Sequence, residues 1–292
     1  MDGFLNILKP PGMSSHDVVA AVRRVLSCRK VGHGGTLDPA AAGVLPVAVG
    51  RATRFIEYVT GEDKEYLAEV RFGTATDSGD ITGQVTDRRE NFLLPPPKQI
   101  NEVLTEFHGA IRQRPPLKSA IKIDGRPAYK LVRRQETTEL PEREVCIKTL
   151  QLTDWRAAEK TIGLRVVCAK GTYIRSLAVD IAAELHLPAT LSFLLRSRVG
   201  NFTVNHAVTL DELATYRERS LLTPEKCLTH LTAAHIPPHR REAFINGLGT
   251  TMPTLPPLVA VYANDEFLGV GGYDSAKRLL KPLKVWGVPF AH

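Results

Sequence analysis

The residues best suited to chemistry in this 292-residue chain stand in a glycine-dense run, Gly32-His33-Gly34-Gly35-Thr36-Leu37-Asp38-Pro39. Glycines at 32, 34 and 35 let backbone approach a ligand or take φ > 0. Asp38 precedes a proline, which biases its backbone to extended conformations. The plain reading of Asp38 is an Asp-Pro turn. The chemical reading is a carboxylate at the end of a glycine loop, beside His33 and a basic helix, fit to be a nucleophile or an acid/base. The run is not a Walker motif, because no Gly-Lys-Ser/Thr ends it, and it is not GxGxxG.

Arg175 lies in Gly171-Thr172-Tyr173-Ile174-Arg175, at an expected helix start. A cation there is mildly unfavourable against the helix dipole, so an anionic partner is the natural explanation. Tyr66 and Tyr173 read as core residues with a tethered hydroxyl, or as base-stacking groups if both open on one pocket. The acidic, hydroxyl-rich run Gly73 to Asp80 lacks the spacing of a calcium loop and reads as a mobile or capped loop.

The elements that must position these residues are short. Phe4 to Leu8 reads as a buried strand. Ser14 with Asp17 offers a capping box for a helix ending near Cys28. Val44 to Val49 is apolar and leads to a helix toward Val59. Glu65 to Phe72 alternates as a strand, with a return strand beginning at Val85. A short helix carries Ile100, Val103, Leu104 and Phe107. Val145 to Trp155 and Ile162 to Cys168 pair as antiparallel strands. A helix follows Thr172, Phe193 to Arg196 is a short strand or turn, and Leu210 to Leu222 is helical. Prolines 224, 237 and 238 mark a boundary near 225–235, and the remainder reads as a small β unit with a turn at Asn264-Asp265. Short helices mixed with hairpins favour α+β over doubly wound α/β.

The formal charge is +7. Residues 112–134 carry eight basic side chains against Asp124 alone, so the other 269 residues sum to zero. That stretch also holds Pro115-Pro116 and Tyr129, which suits a phosphate backbone better than a solvated face. Cysteines at 28, 146, 168 and 227 form no CxxC pair and read as reduced cytosolic thiols. No HExxH is present, so metal chemistry is not expected. No apolar run reaches the ~18 residues of a membrane helix, and no signal peptide is recognisable.

The run at 32–39 resembles the GHTGTLDP signature of the TruB family of tRNA pseudouridine synthases. The resemblance continues, in the family's order, in Lys9 to Ser15, Lys64-Glu65-Tyr66 through Gly73, and Thr76 to Asp80. It recurs in Pro115-Pro116 with Ser119-Ala120 and Gly125 to Tyr129, and in Gly171 to Arg175. Together these blocks cover most of residues 4–200. The C-terminal segment is similar, more loosely, to the PUA module that often follows this catalytic domain.

The resemblance implies a pseudouridine synthase fold with a mixed, largely antiparallel sheet over residues 1–230, and a small PUA-like β-barrel over 231–292. It implies isomerisation of uridine 55 in the TΨC loop of tRNA, with neither cofactor nor metal. Asp38 would be the catalytic aspartate, paired and kept ionised by Arg175. Tyr66 would stack on the target base and is a candidate for removing the C5 proton. Tyr173 and Leu194 would line the pocket, Lys9 would support it, and His33 would support the everted nucleotides. Lys118, Lys122, Arg126 and Lys130 would grip the RNA backbone. The implied partner is the TΨC stem-loop of tRNA, met by a cytoplasmic monomer with no membrane role. Two alternatives stand beside this reading: a non-catalytic tRNA-binding protein or RNA chaperone, and a guide-dependent synthase acting on ribosomal RNA. The chain departs from the family at Gly34, commonly threonine, which is expected to loosen the loop, and at Lys118, often an aromatic.

Overall fold

A computed structural model describes residues 1–116 and 140–287, and the backbone of 122–123 and 126–127. Alternation of apolar and polar residues builds a nine-stranded sheet. It comprises β1 (Gly3–Lys9), β2 (Val31–His33), β3 (Ala42–Val49), β4 (Lys64–Phe72), β7 (Gly109–Gln113), β10 (Arg143–Arg156), β11 (Thr161–Cys168), β12 (Ala189–Val199) and β13 (Phe202–Thr203). The order is β1-β3-β12-β4-β11-β10-β7, with β2 on β3 and β13 on β12. Every pairing is antiparallel except β12 with β3. Two small antiparallel pairs stand apart, β5 (Thr74–Thr76) with β6 (Val85–Arg88) and β8 (Lys122–Ile123) with β9 (Arg126–Pro127).

Burial explains which face carries the helices. In β4, Tyr66, Ala68, Val70 and Phe72 point inward and join Ile100 and Leu104 of α3 (Pro97–Glu106). Leu177, Ala178 and Ile181 of α4 (Ile174–Glu184) complete that core. α1 (Ser15–Val25) buries Val18, Val19 and Val22 against β1 and β3, and its N-terminus carries the capping box formed by Ser14 and Asp17. The short helix α2 (Ile56–Thr60) ends beside β4.

Two elements differ from the sequence reading. Phe193 to Arg196 is the interior of the eleven-residue β12, held between β3 and β4 by pairing partners distant in sequence. The helix from Leu210 stops at Tyr216, because Arg217 takes φ 48°, a left-handed conformation that helices do not continue through.

Residues after 231 form a second sheet: β14 (Thr232–His235), β15 (Thr250–Thr251), β16 (Leu258–Ala263), β17 (Glu266–Asp274) and β18 (Leu279–Val285), in the order β14-β16-β17-β18-β15. Asn264 and Asp265 both have positive φ, the conformation a two-residue hairpin turn requires. This sheet has its own core around Phe244, Val259, Val261, Leu268 and Leu280. It also meets the large sheet across an apolar seam, where the Phe55 ring stands 5.9 Å from Phe267 and 5.4 Å from Trp286.

Candidate active site

Asp38 sits on the connection between β2 and β3, and the backbone on both sides of it is tied down. The buried Ser15 hydroxyl donates to the Leu37 carbonyl (3.1 Å) and accepts from the Leu37 N–H (2.9 Å). On the other side, Lys9 Nζ donates to the Pro39 carbonyl at 3.3 Å, and the Gly12 N–H donates to the same oxygen at 2.8 Å. Lys9 is fully buried and also donates to the carbonyls of Pro10 and Met13; burial lowers its ammonium to about 8.

Arg196 closes the loop from below. It is 1% exposed and donates to the carbonyls of Val44, Gly35 and Thr36, at 2.8, 3.0 and 3.4 Å. Its donors thus join the two ends of the loop that carries Asp38. Gly43 makes this approach possible. It adopts φ +118°, and a Cβ there would lie 2.3 Å from the Arg196 carbonyl oxygen.

Arg175 enters from the first turn of α4 and is 5% exposed. Its Nε lies 2.9 Å from Asp38 Oδ2, and its Nη1 lies 3.4 Å from Asp80 Oδ2. Nη1 also donates to the Ser78 carbonyl at 3.1 Å. Two carboxylates therefore share one guanidinium, which supplies the anionic partner expected for an arginine at a helix start. The loop carrying Asp80 is capped rather than mobile: Asp80 Oδ1 accepts from the Ser78 hydroxyl and the Thr82 N–H, each at 2.9 Å.

Burial and a second acid both act on the charge of Asp38. Burial pushes its carboxyl above the usual carboxylate range, Arg175 pulls it down, and Asp80 pushes it up again. The net direction is upward, so Arg175 offsets the cost of burial only in part. Burial is the main cause, and Asp80, which shares the guanidinium, adds to it.

The cavity above this pair measures about 280 Å³ and is lined by Asp38, Tyr66, Tyr173, Arg175, Leu194, Arg196 and Lys64, among others. Five of the expected site residues meet there. The Tyr66 phenol is buried and raised, so it stays protonated near neutrality. Lys9 and His33 do not line the cavity. Lys9 acts through the Pro39 carbonyl, and His33 packs edge-on to His16, ring centres 5.3 Å apart, with burial lowering its imidazolium. Lys118 and Lys130 lie outside the described residues; Lys122 and Arg126 fall on β8 and β9, where only backbone is described.

Sequence reasoning missed Ser15, Asp80 and Arg196 as site residues. Asp80 carried a signal, because it closes the Thr76-Asp77-Ser78-Gly79-Asp80 block, but nothing local ties it to Arg175. A buried arginine at 196 has no signature in a single sequence.

Gly34 also proves different from expectation. The loop is not loosened there: a Cβ at 34 would stand 2.0 Å from Thr60 Cγ2 and 3.1 Å from Ile56 Cγ1. Thr60 of α2, its hydroxyl donating to the Ile56 carbonyl at 3.0 Å, fills the space a larger residue 34 would need. Gly34→Ala is expected to cost about 1–3 kcal/mol by overpacking. Adding Thr60→Ala should recover most of that loss. Urea unfolding of the two single variants and the double variant checks it, and additive losses would contradict the packing argument.

The comparisons with known proteins agree with this geometry. Residues 23–174 match the TruB family pseudouridylate synthase (N terminal domain). A protein of Symbiobacterium thermophilum named tRNA pseudouridine synthase B is 49% identical over 229 residues, 78% of this chain and 76% of that protein. One of the same name from Moorella thermoacetica is 42% identical and covers 97% of this chain and 98% of its own. Among solved structures, a Cbf5-Nop10-Gar1 complex contains a chain 28% identical to this one, with TM-score 0.75, covering 98% of this chain and 85% of that chain. With an aspartate on a tethered glycine loop paired to an arginine of α4, and with these matches over most of its length, the chain belongs to the TruB family of pseudouridylate synthases.

Proposed function

We propose that this protein isomerises uridine 55 in the TΨC loop of tRNA to pseudouridine, acting alone. The observation that carries the proposal is the cavity in which Asp38, Arg175, Tyr66, Tyr173 and Leu194 meet. The two relatives named tRNA pseudouridine synthase B support tRNA as the substrate.

The target base must leave its stack, at a cost of a few kcal/mol. Stacking on an aromatic, worth ~1–3 kcal/mol per base, and phosphate contacts offset that cost. Inside, the C1′–N1 bond breaks, the uracil turns, and C1′ joins C5. C5 then loses its proton and N1 gains one, so the product is an isomer and needs no redox partner. Asp38 serves by adding to C1′ or C6, or by taking the 2′ proton. Arg175 holds the carboxylate in line with the sugar and offsets its desolvation. Tyr66 starts as a neutral phenol, which suits stacking; as a proton acceptor it must pass its own proton on.

Lys118, Lys122, Arg126 and Lys130 grip the RNA backbone, His33 supports the everted nucleotides, and residues 231–292 form an RNA-binding module. The enzyme works as a cytoplasmic monomer. Among the described residues no helix is long and apolar enough to cross a membrane.

Charge reversal at Lys118 and Lys122 together tests the grip. Each phosphate that is no longer neutralised should make the slope of log affinity against log salt shallower by up to about 0.9. Binding should weaken most at low salt, and an unchanged affinity would contradict the assignment. The alternatives separate by assay. A tRNA transcript incubated with the purified protein alone should yield pseudouridine; a requirement for a guide RNA or a second protein would favour a guide-dependent synthase.

A further inference from the structure

We propose that Gln113 is a positioning residue for this reaction, holding Tyr173 and the first turn of the helix that carries Arg175. The proposal rests on the reading of Asp38 and Arg175 as the catalytic pair.

Gln113 ends β7 and is 2% exposed. Its side-chain amide uses both of its ends on one residue. The Tyr173 N–H donates to Gln113 Oε1 at 2.7 Å, and Gln113 Nε2 donates to the Tyr173 carbonyl at 3.0 Å. The amide thus stands where the peptide of a neighbouring strand would stand. Tyr173 needs this support. It flanks α4 in an extended conformation, φ −104° and ψ 112°, and its own side chain makes no capping hydrogen bond to that helix. The residue after Gln113 adds another tie: the Ser176 hydroxyl donates to the Arg114 carbonyl at 2.8 Å. Residues 113 and 114 are therefore stitched to 173 and 176, on either side of Arg175.

Packing alone does not account for Gln113. An apolar side chain of the same size would fill the site without desolvating an amide. The amide instead fixes a backbone segment whose flanking side chains, Tyr173 and Arg175, both line the cavity with Asp38. A displacement of about 1 Å at such a distance from the chemistry costs on the order of a hundredfold in rate.

Two substitutions test the proposal. Gln113→Met keeps the bulk and makes neither bond. Gln113→Glu keeps the shape and the acceptor for the Tyr173 N–H. Ionised, it has no hydrogen for the Tyr173 carbonyl; protonated, it donates as the amide does. Among the described residues, the charged groups near it include Arg143, opposite it across the β7–β10 pair, Arg114 with its partner Glu142 at 3.5 Å, and Arg175 on the helix that follows Tyr173. These and burial move the pH of the switch but not its direction.

Single-turnover rates and tRNA affinity are measured for both variants and the parent, from about pH 5.5 to about pH 8.5. Both variants should lose about tenfold to a hundredfold in rate at neutral pH with affinity unchanged. The ratio of Gln113→Glu to parent should climb as pH falls, because titration of Asp38 is common to both and cancels. The ratio for Gln113→Met should stay flat. A Gln113→Met variant as fast as the parent, a flat ratio for Gln113→Glu, or losses that track reduced folding or affinity would each overturn the proposal. A parent that forms no pseudouridine would overturn the catalytic reading and this one with it; an active parent with an equally active Gln113→Met overturns this one alone.

Discussion

Asp38→Asn is expected to abolish pseudouridine formation, by at least about a thousandfold, while tRNA still binds. The substitution keeps the shape of the side chain and an oxygen for the Arg175 guanidinium at 2.9 Å. The loop should hold its course, because its ties run through Ser15, Lys9, Gly12 and Arg196 to the backbone of Leu37, Pro39, Gly35 and Thr36, not through the carboxylate. What disappears is the anion that adds to the sugar or base, or takes its proton. Loss of binding together with activity would mark Asp38 as structural. The parent enzyme carries a related signature. The ionised form of Asp38 does the work and its pKa is raised, so the rate should fall, as pH drops, at a higher pH than an ordinary aspartate would give. Asp80→Asn removes the like charge that helps raise it, so that acidic limb should move to lower pH.

Arg175→Met is expected to lower both activity and stability, and the two effects separate. Removing a 5% exposed cation leaves Asp38 and Asp80 facing one another without it. Breaking a buried ion pair costs about 3–5 kcal/mol, and the lower end applies because Asp38 keeps 37% of its side-chain exposure. Asp80, at 11%, bears most of the penalty. Adding Asp80→Asn should therefore restore much of the stability, because its Oδ1 can still accept from Ser78 and Thr82. Activity should not return, since nothing then orients Asp38 or offsets its burial. Its carboxyl would rise further, so residual turnover should increase with pH. Urea unfolding and single-turnover rates on the single and double variants decide it; a double variant that regains both would reduce Arg175 to a structural role.

Local patterns made much of this readable. The alternation in residues 65–72 predicted a strand, and Tyr66 lies on its inner face, where it lines the cavity. Ser14 and Asp17 announced the start of α1, and Asn264-Asp265 announced the hairpin. The Asp38 block and the Arg175 block were both visible, and the fold brings them to 2.9 Å across more than a hundred residues of chain. What stayed hidden depends on partners remote in sequence. β12 looked like no more than a short strand or turn because Arg196 breaks its apolar pattern, and that arginine is buried with loop carbonyls of residues 35, 36 and 44 as its acceptors. The rise in Asp38 comes first from burial and then from Asp80, whose approach to the same guanidinium no spacing in the sequence reveals. Gly34 looked like a loosening because the residue that fills its space, Thr60, belongs to another element.

The position at which the product forms is the most direct test of the proposed activity. A tRNA transcript incubated with the purified protein, without guide RNA, cofactor or added metal, is mapped for pseudouridine at single-nucleotide resolution. Conversion of uridine 55 alone, absent with Asp38→Asn, is the predicted result. Pseudouridine at a different uridine, or none from a protein that binds the transcript, would contradict it.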